Sequence, residues 1–206
     1  MSQRTEMLAG VSHDLGTVLT RMKLQIAMLP DSPELAALKT DVRDMEQMVE
    51  AYLAFARGEA AEAPEETNVS KLVQEVADGF RRNGKTVSLD VPGGLVAPLR
   101  QAAFKRCLMN LLANATRHAG HVWVAAGQHD HAIEILIDDD GPGIPPMERE
   151  AVFKPFYRID QARNLATGGA GLGLTIARDV MRRHGGDITL SDSAHGGLSV
   201  TLRLPL

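Results

Sequence analysis

At 206 residues, 44% hydrophobic and 23% charged, the chain has enough apolar side chains to bury a core and too few charges to read as disordered. Its formal charge of -4 excludes a general electrostatic pull toward nucleic acid or anionic lipid, and its single cysteine, Cys107, excludes an internal disulfide, which suits a reducing compartment. No signal peptide is visible and no apolar run approaches the ~20 residues that cross a bilayer, so the chain is expected to be cytoplasmic, alone or as the inner part of a membrane receptor.

In chain order, Leu8, Val11, Leu15, Val18, Met22 and Leu29 fall on alternating three- and four-residue steps, with Gln25 at one seam position. This is a heptad pattern. Pro30-Asp31-Ser32-Pro33 is a turn signal, after which Leu35, Leu38, Val42, Met45, Val49, Tyr52 and Ala56 repeat the steps. A two-helix hairpin over residues 1–57 cannot bury such seams alone, so two copies are expected to pair into a four-helix bundle, making the chain a homodimer. Residues 58–67, GEAAEAPEET, read as a linker. From 68 to 206 the periods change. A helix is expected near 69–81, a strand near 87–91 and a helix over 101–118. HVWVAAG and AIEILID form a hairpin closed at 128–131, an irregular stretch over 141–170 has the length of a lid, and a helix near 171–184 precedes strands near 187–191 and 198–204. The sum is an α+β two-layer sandwich behind a helical hairpin.

Three stretches of this second region carry chemistry. In FKRCLMNLLANATRHA, the residues Arg106, Asn110, Asn114, Arg117 and His118 recur at helical spacing opposite Phe104, Leu108, Leu111, Leu112 and Ala115. A solvated face normally takes Glu and Lys, and two asparagines one turn apart are poor helix formers, so the stripe is read as facing a ligand. An Asn carbonyl is a hard oxygen donor suited to Mg²⁺, and arginine to phosphate. In IDDDGPGI, a strand ending in acids runs into two glycines, and Asp139 can accept from an exocyclic amine; alone this pattern is also that of a solvated turn. GGAGLGLTIARDVMRRHGG opens a helix with glycines whose amides can cradle phosphate. Its spacing is neither that of a dinucleotide fold nor of a P-loop. His129-Asp130-His131 lies in a hairpin turn with no cysteine and does not make a zinc site.

The asparagine helix, the Asp139-x-Gly141-x-Gly143 box, FKPFYR and GAGLGL, in this order, resemble the ATP-binding domain of sensor histidine kinases, and VSHDLGTVLTRMKL resembles their phosphoacceptor helix of the osmosensor type. The resemblance covers essentially the whole chain. It implies that Asn114 holds Mg²⁺, that Asn110 shares its stripe, and that Arg117 and His118 lie near phosphates and base. Asp139 would read the adenine amine, with Gly141 and Gly143 shaping that wall. Phe153 and Phe156 would anchor the lid, a role compatible with packing as core, while Gly169, Gly171, Gly173 and Leu174 would close over the phosphates. Arg158 and Arg163 are either phosphate contacts or solvated.

The same resemblance makes His13 the phosphoacceptor, with Asp14 fixing its tautomer and Thr17, one turn on, positioning water to dephosphorylate a response-regulator receiver domain. A satisfied surface histidine is the commoner fate of a lone His. The chain departs from the family in reading HDLGTV where relatives read HDLRTP: Gly16 and Val18 replace Arg and Pro, so an unkinked helix is expected there. The implied activity is Mg²⁺- and ATP-dependent autophosphorylation followed by transfer to a regulator aspartate, with no nucleic-acid partner and no membrane contact by this chain. The alternatives are a phosphotransfer adaptor that has lost ATP use and a chaperone-like ATPase of the same nucleotide fold, which would lack a His-Asp-x-x-Thr hairpin.

Overall fold

The computed structural model describes residues 17–30, 32, 35, 38, 39, 42, 45, 62–159 and 171–206. His13, Asp14, Gly16, Arg163 and Gly169 lie outside the described residues. The chain divides into two units, one of residues 1–61 with 158–172, the other of residues 62–157 with 173–206.

In the first unit, helix α1 runs over 17–27 and closes through Met28 N–H to Gln25 O and Leu29 N–H to Ile26 O, at 3.2 and 3.3 Å. Val18 lies within this helix, where a proline would have removed a donor. A second helical segment, α2, is described at 35, 38, 39, 42 and 45; Ser32 Oγ caps it by accepting from Leu35 N–H at 3.1 Å. The hairpin packs through Leu19, Ile26, Leu35 and Val42, with Met22 half-buried against them. Of the expected seam positions, Met22, Leu35 and Val42 lie in this cluster, joined by Leu19 and Ile26. Val18 and Leu29 are 42% and 54% exposed, and the seven-residue steps 19→26 and 35→42 carry the burial within the chain. The physical reason is the width of the apolar stripe: with Val18 and Leu19 adjacent, a heptad can be drawn through either, and hairpin packing selects Leu19.

The second unit is a sheet with helices on one face. Strand β1 (Glu65–Asn68) pairs antiparallel with β3 (Val96–Leu99) in a separate ribbon. Residues 65–67, linker-like by composition, thus carry a strand, too short for a periodic signal. Asn68 then caps α3 (Val69–Arg82), its side chain accepting from Lys71 N–H at 2.9 Å. The five-stranded sheet has the order β2-β4-β5-β7-β6. Strand β2 (Thr86–Asp90) runs parallel to β4 (His121–His129), a crossover made through α4 (Gln101–His118). The strands β4, β5 (Ala132–Asp139), β7 (Leu198–Pro205) and β6 (Asp187–Asp192) pair antiparallel.

Helix α4 buries Phe104, Cys107, Leu108, Leu111, Leu112 and Ala115, a stripe at three- and four-residue spacing that faces α5 (Gly173–Arg183) and the strands. Arg100, at its N-cap, makes no side-chain cap; Glu62 Oε1 accepts from Ala102 N–H at 2.9 Å instead. On β5, Ile133, Ile135 and Ile137 are buried, and the same parity carries Asp139 to the helix-facing side. Among the described residues no helix is long and apolar enough to cross a membrane.

Candidate functional site

The three consecutive acids at the end of β5 do three different things. Asp138 projects to the face away from the helices and is buried, with Oδ1 lacking a hydrogen-bond partner among the described residues. Asp140 is exposed, and its Oδ1 accepts from His121 N–H at 2.9 Å and Gly120 N–H at 2.8 Å. These bonds, that of His121 foremost, hold its carboxyl below the ordinary carboxylate range and brace the turn between α4 and β4. Asp139 is 4% exposed, and its Oδ1 accepts from Gly141 N–H at 2.9 Å and Leu198 N–H at 3.0 Å. Gly197 N–H also donates to Asp139 O at 3.1 Å. Both side-chain bonds use Oδ1, which fixes the carboxyl plane and leaves Oδ2 as the atom to meet a ligand donor.

The glycines around Asp139 are needed for approach. A Cβ on Gly141 would stand 2.9 Å from His118 O and 3.0 Å from Asp139 Oδ1, so a side chain there would pry the box from the C-terminus of α4. Gly143 has φ +69, a left-handed conformation.

Across from this wall, the polar stripe of α4 presents Asn110 and Asn114 one turn apart, both half-buried. Asn110 Nδ2 is buried without a hydrogen-bond partner among the described residues. An unmet buried amide costs about 1–3 kcal/mol, which a polar ligand would relieve. The first residue of α5, Gly173, lies against this helix: a Cβ there would be 3.8 Å from Asn110 Cβ. The asparagines and the opening turn of α5, with half-buried Leu174, are therefore neighbours. Arg117 and His118 end the stripe on the exposed last turn of α4. A buried carboxyl fixed by backbone amides, an asparagine stripe with an orphaned donor and a helix opening on glycine suit a nucleotide with a hard cation.

Residues 100–206 match the family described as histidine kinase-, DNA gyrase B-, and HSP90-like ATPase, and residues 3–61 match the His Kinase A (phospho-acceptor) domain. The chain belongs to the histidine kinases. The sensor histidine kinase CpxA of Escherichia coli K12 is 34% identical over 220 residues, covering 100% of this chain and 48% of CpxA. The signal transduction histidine-protein kinase/phosphatase MprB of Mycolicibacterium vanbaalenii is 32% identical over 219 residues, covering 95% of this chain and 44% of that protein. The chain thus spans about half the length of the curated relatives it matches. In fold it is similar to full-length ShkA crystallised with AMPPNP, with TM-score 0.73 at 23% identity over 97% of this chain and 45% of ShkA.

The remaining residues expected at the site belong to the stretch expected to be a lid, of which residues 141–159 and 171 onward are described. Its described stem is pinned to the second unit's framework. Two single turns of 3-10 helix, Pro146–Glu148 and Ala151–Phe153, lead into FKPFYR. Thr175 Oγ1 donates to Phe153 O at 2.8 Å, and Arg178 lies 4.2 Å from the centre of the Phe153 ring. The same guanidinium reaches Glu150 Oε2 at 2.8 Å and Asp187 Oδ1 at 3.0 Å. Arg149 donates to Ile144 O at 3.0 Å and to Asp192 Oδ1 at 2.5 Å, and Tyr157 Oη donates to Glu148. The two phenylalanines therefore differ: Phe153 is buried, whereas Phe156 is 58% exposed with φ +64. Gly171 has φ +65.

Thr17 is exposed at the start of described α1. His129-Asp130-His131 is a hairpin corner, with His129 paired to Ala132 and Asp130 at φ +51. Sequence reasoning missed Gly197 and Leu198, which hold Asp139 from the β6–β7 turn. The only available signal was the pair Gly196-Gly197 before a strand. It missed Arg178 as well, since one arginine on an amphipathic helix does not announce its partners.

Proposed function

We propose that the chain is the catalytic core of a dimeric sensor histidine kinase, which binds Mg²⁺-ATP, phosphorylates His13 and passes the phosphoryl group to an aspartate of a response regulator. The observation that carries the reading is the Asp139 clamp, in which backbone amides hold Oδ1 so that Oδ2 can accept from the adenine amine. Asn114 would hold the cation, with Asn110 beside it; when bound, Mg²⁺ supplies neutralisation of phosphate charge. The glycine box from Gly169 to Gly173 and Leu174 would lie over the phosphates, with Phe153 fixing the lid stem.

In the transfer, a ring nitrogen of His13 forms the new bond to the γ-phosphorus as the bond to the bridging oxygen breaks and ADP leaves. Asp14 would accept from the other ring nitrogen, select the tautomer and stabilise the charge that develops on the ring. Thr17, one turn along, would orient water for the reverse service of dephosphorylating the regulator. The dimer is supported by Val18, Leu29, Leu38 and Met45, apolar seam positions that a single chain leaves 41–54% exposed. The chain would work in the cytoplasm, alone or as the inner part of a membrane receptor.

Isothermal titration of the whole chain with Mg-ADP tests the nucleotide site. Asp139→Ala and Asn114→Ala are expected to weaken binding at least tenfold with unchanged circular dichroism, and Thr17→Ala to leave it untouched while slowing decay of a phosphorylated regulator. Wild-type affinity in the first two would refute the assignment.

A further inference from the structure

The turn that holds Asp139 is itself held from behind. On the sheet face away from the helices, Trp123 of β4 lies opposite Asp138 in register, one residue before Asp139. Its ring is sandwiched: His121 stacks at 4.0 Å and 3°, His195 at 3.7 Å and 10°. The two histidines have different attachments. His121 belongs to β4 itself and is tied through Nε2 to Ser88 Oγ at 2.8 Å. His195 belongs to the β6–β7 turn, whose next residues supply Gly197 N–H to Asp139 O and Leu198 N–H to Asp139 Oδ1.

The turn is tight. His195 N–H donates to Ser193 Oγ at 3.0 Å, Gly196 N–H to Ser193 O at 3.1 Å, and Ser193 N–H to Gly197 O at 2.9 Å. A displacement of His195 is therefore passed within three residues to the amides on Asp139. His195 is an exposed residue, and water would solvate an imidazole well, so its seat on the indole is not a requirement of burying it.

We propose that His195 is a positioning residue for adenine recognition: stacked on Trp123, it fixes the β6–β7 turn so that Gly197 and Leu198 keep the Asp139 carboxyl in its reading orientation. The inference rests on the reading of Asp139 as the adenine acceptor. It makes the outer sheet face, which touches no nucleotide, a determinant of nucleotide affinity. A stack of this kind is worth roughly 3- to 10-fold in an equilibrium constant.

The test is Mg-ADP titration of the whole chain in a double-mutant cycle. His195→Ala is expected to raise Kd about three- to tenfold, His195→Phe to restore it within about twofold, and His121→Ala, which unstacks the other face of the same indole, to leave it unchanged. Near-ultraviolet circular dichroism of Trp123, the sole tryptophan, checks that each alanine variant has lost its stack. In the Asp139→Asn background, His195→Ala should add nothing. Wild-type affinity in His195→Ala, an equal loss in His121→Ala, or a full effect persisting in Asp139→Asn would overturn the proposal while leaving the nucleotide site standing. Wild-type affinity in Asp139→Asn alone would overturn the adenine reading and the proposal with it.

Discussion

A methyl group on Gly197 would stand 2.2 Å from Asp139 Oδ1 and 2.5 Å from Gly141 N, inside the space where two turns meet around one carboxyl. No rotamer relieves such a contact, because a Cβ is fixed to the backbone. Gly197→Ala is therefore expected to lower Mg-ADP affinity more than tenfold and to cost about 1–3 kcal/mol of stability, the usual range for forced overpacking. Gly186 offers the comparison: its added Cβ would be 2.2 Å from Arg203 O and 2.9 Å from Met181 Cε, away from Asp139. Gly186→Ala should destabilise by a similar amount while its remaining folded fraction binds Mg-ADP normally. Titration calorimetry and thermal melts of both variants separate the two kinds of glycine, and equal affinities would deny Gly197 its role. Asp139 and Gly141 were legible in the sequence because they form a contiguous box. Gly197 was not, since its partner lies 58 positions earlier and only the antiparallel β5–β7 pairing joins them.

At the level of elements, Arg178 ties helix α5 to the lid stem and to β6 at once, through Phe153, Glu150 and Asp187. The hydrogen bond from Arg178 holds the Glu150 carboxyl below its ordinary range. At Asp187 burial pushes the carboxyl up, and the bonds from Arg178, Ile188 N–H and Arg182 outweigh it and bring it down. Carboxyls with depressed folded values contribute stability above their unfolded pKa of about 4, and that contribution disappears as pH falls through the folded values. Arg178→Ala should therefore lower the melting temperature at pH 7 by a few degrees, with the difference from wild type shrinking below about pH 4. It should also raise KM for ATP several-fold as the stem loosens. A difference that grows on acidification would contradict the network. The helices and the β4–β5 hairpin were legible from their periods, because burial on one face writes itself into the sequence every 3.6 or 2 residues. The β1–β3 ribbon was not, being two four-residue strands, one containing Pro98. Nor was the choice of Leu19 over Val18, which depends on the neighbouring helix.

For the whole molecule, the exposed apolar positions of the first unit and the nucleotide site of the second belong to one account of a dimeric kinase. Leu38→Asp should convert a dimer, seen by light scattering, into a monomer without lowering Mg-ADP affinity. A wild-type chain that is monomeric at tens of micromolar would remove the four-helix bundle from the account. The central claim is that ATP held at Asp139 and Asn114 phosphorylates His13, and its most direct measurement is incubation of the purified chain with γ-labelled ATP and Mg²⁺. The account predicts incorporated label that is stable to base, lost in acid and absent from His13→Ala, which still binds Mg-ADP. Label that survives acid, or that persists in His13→Ala, would contradict it.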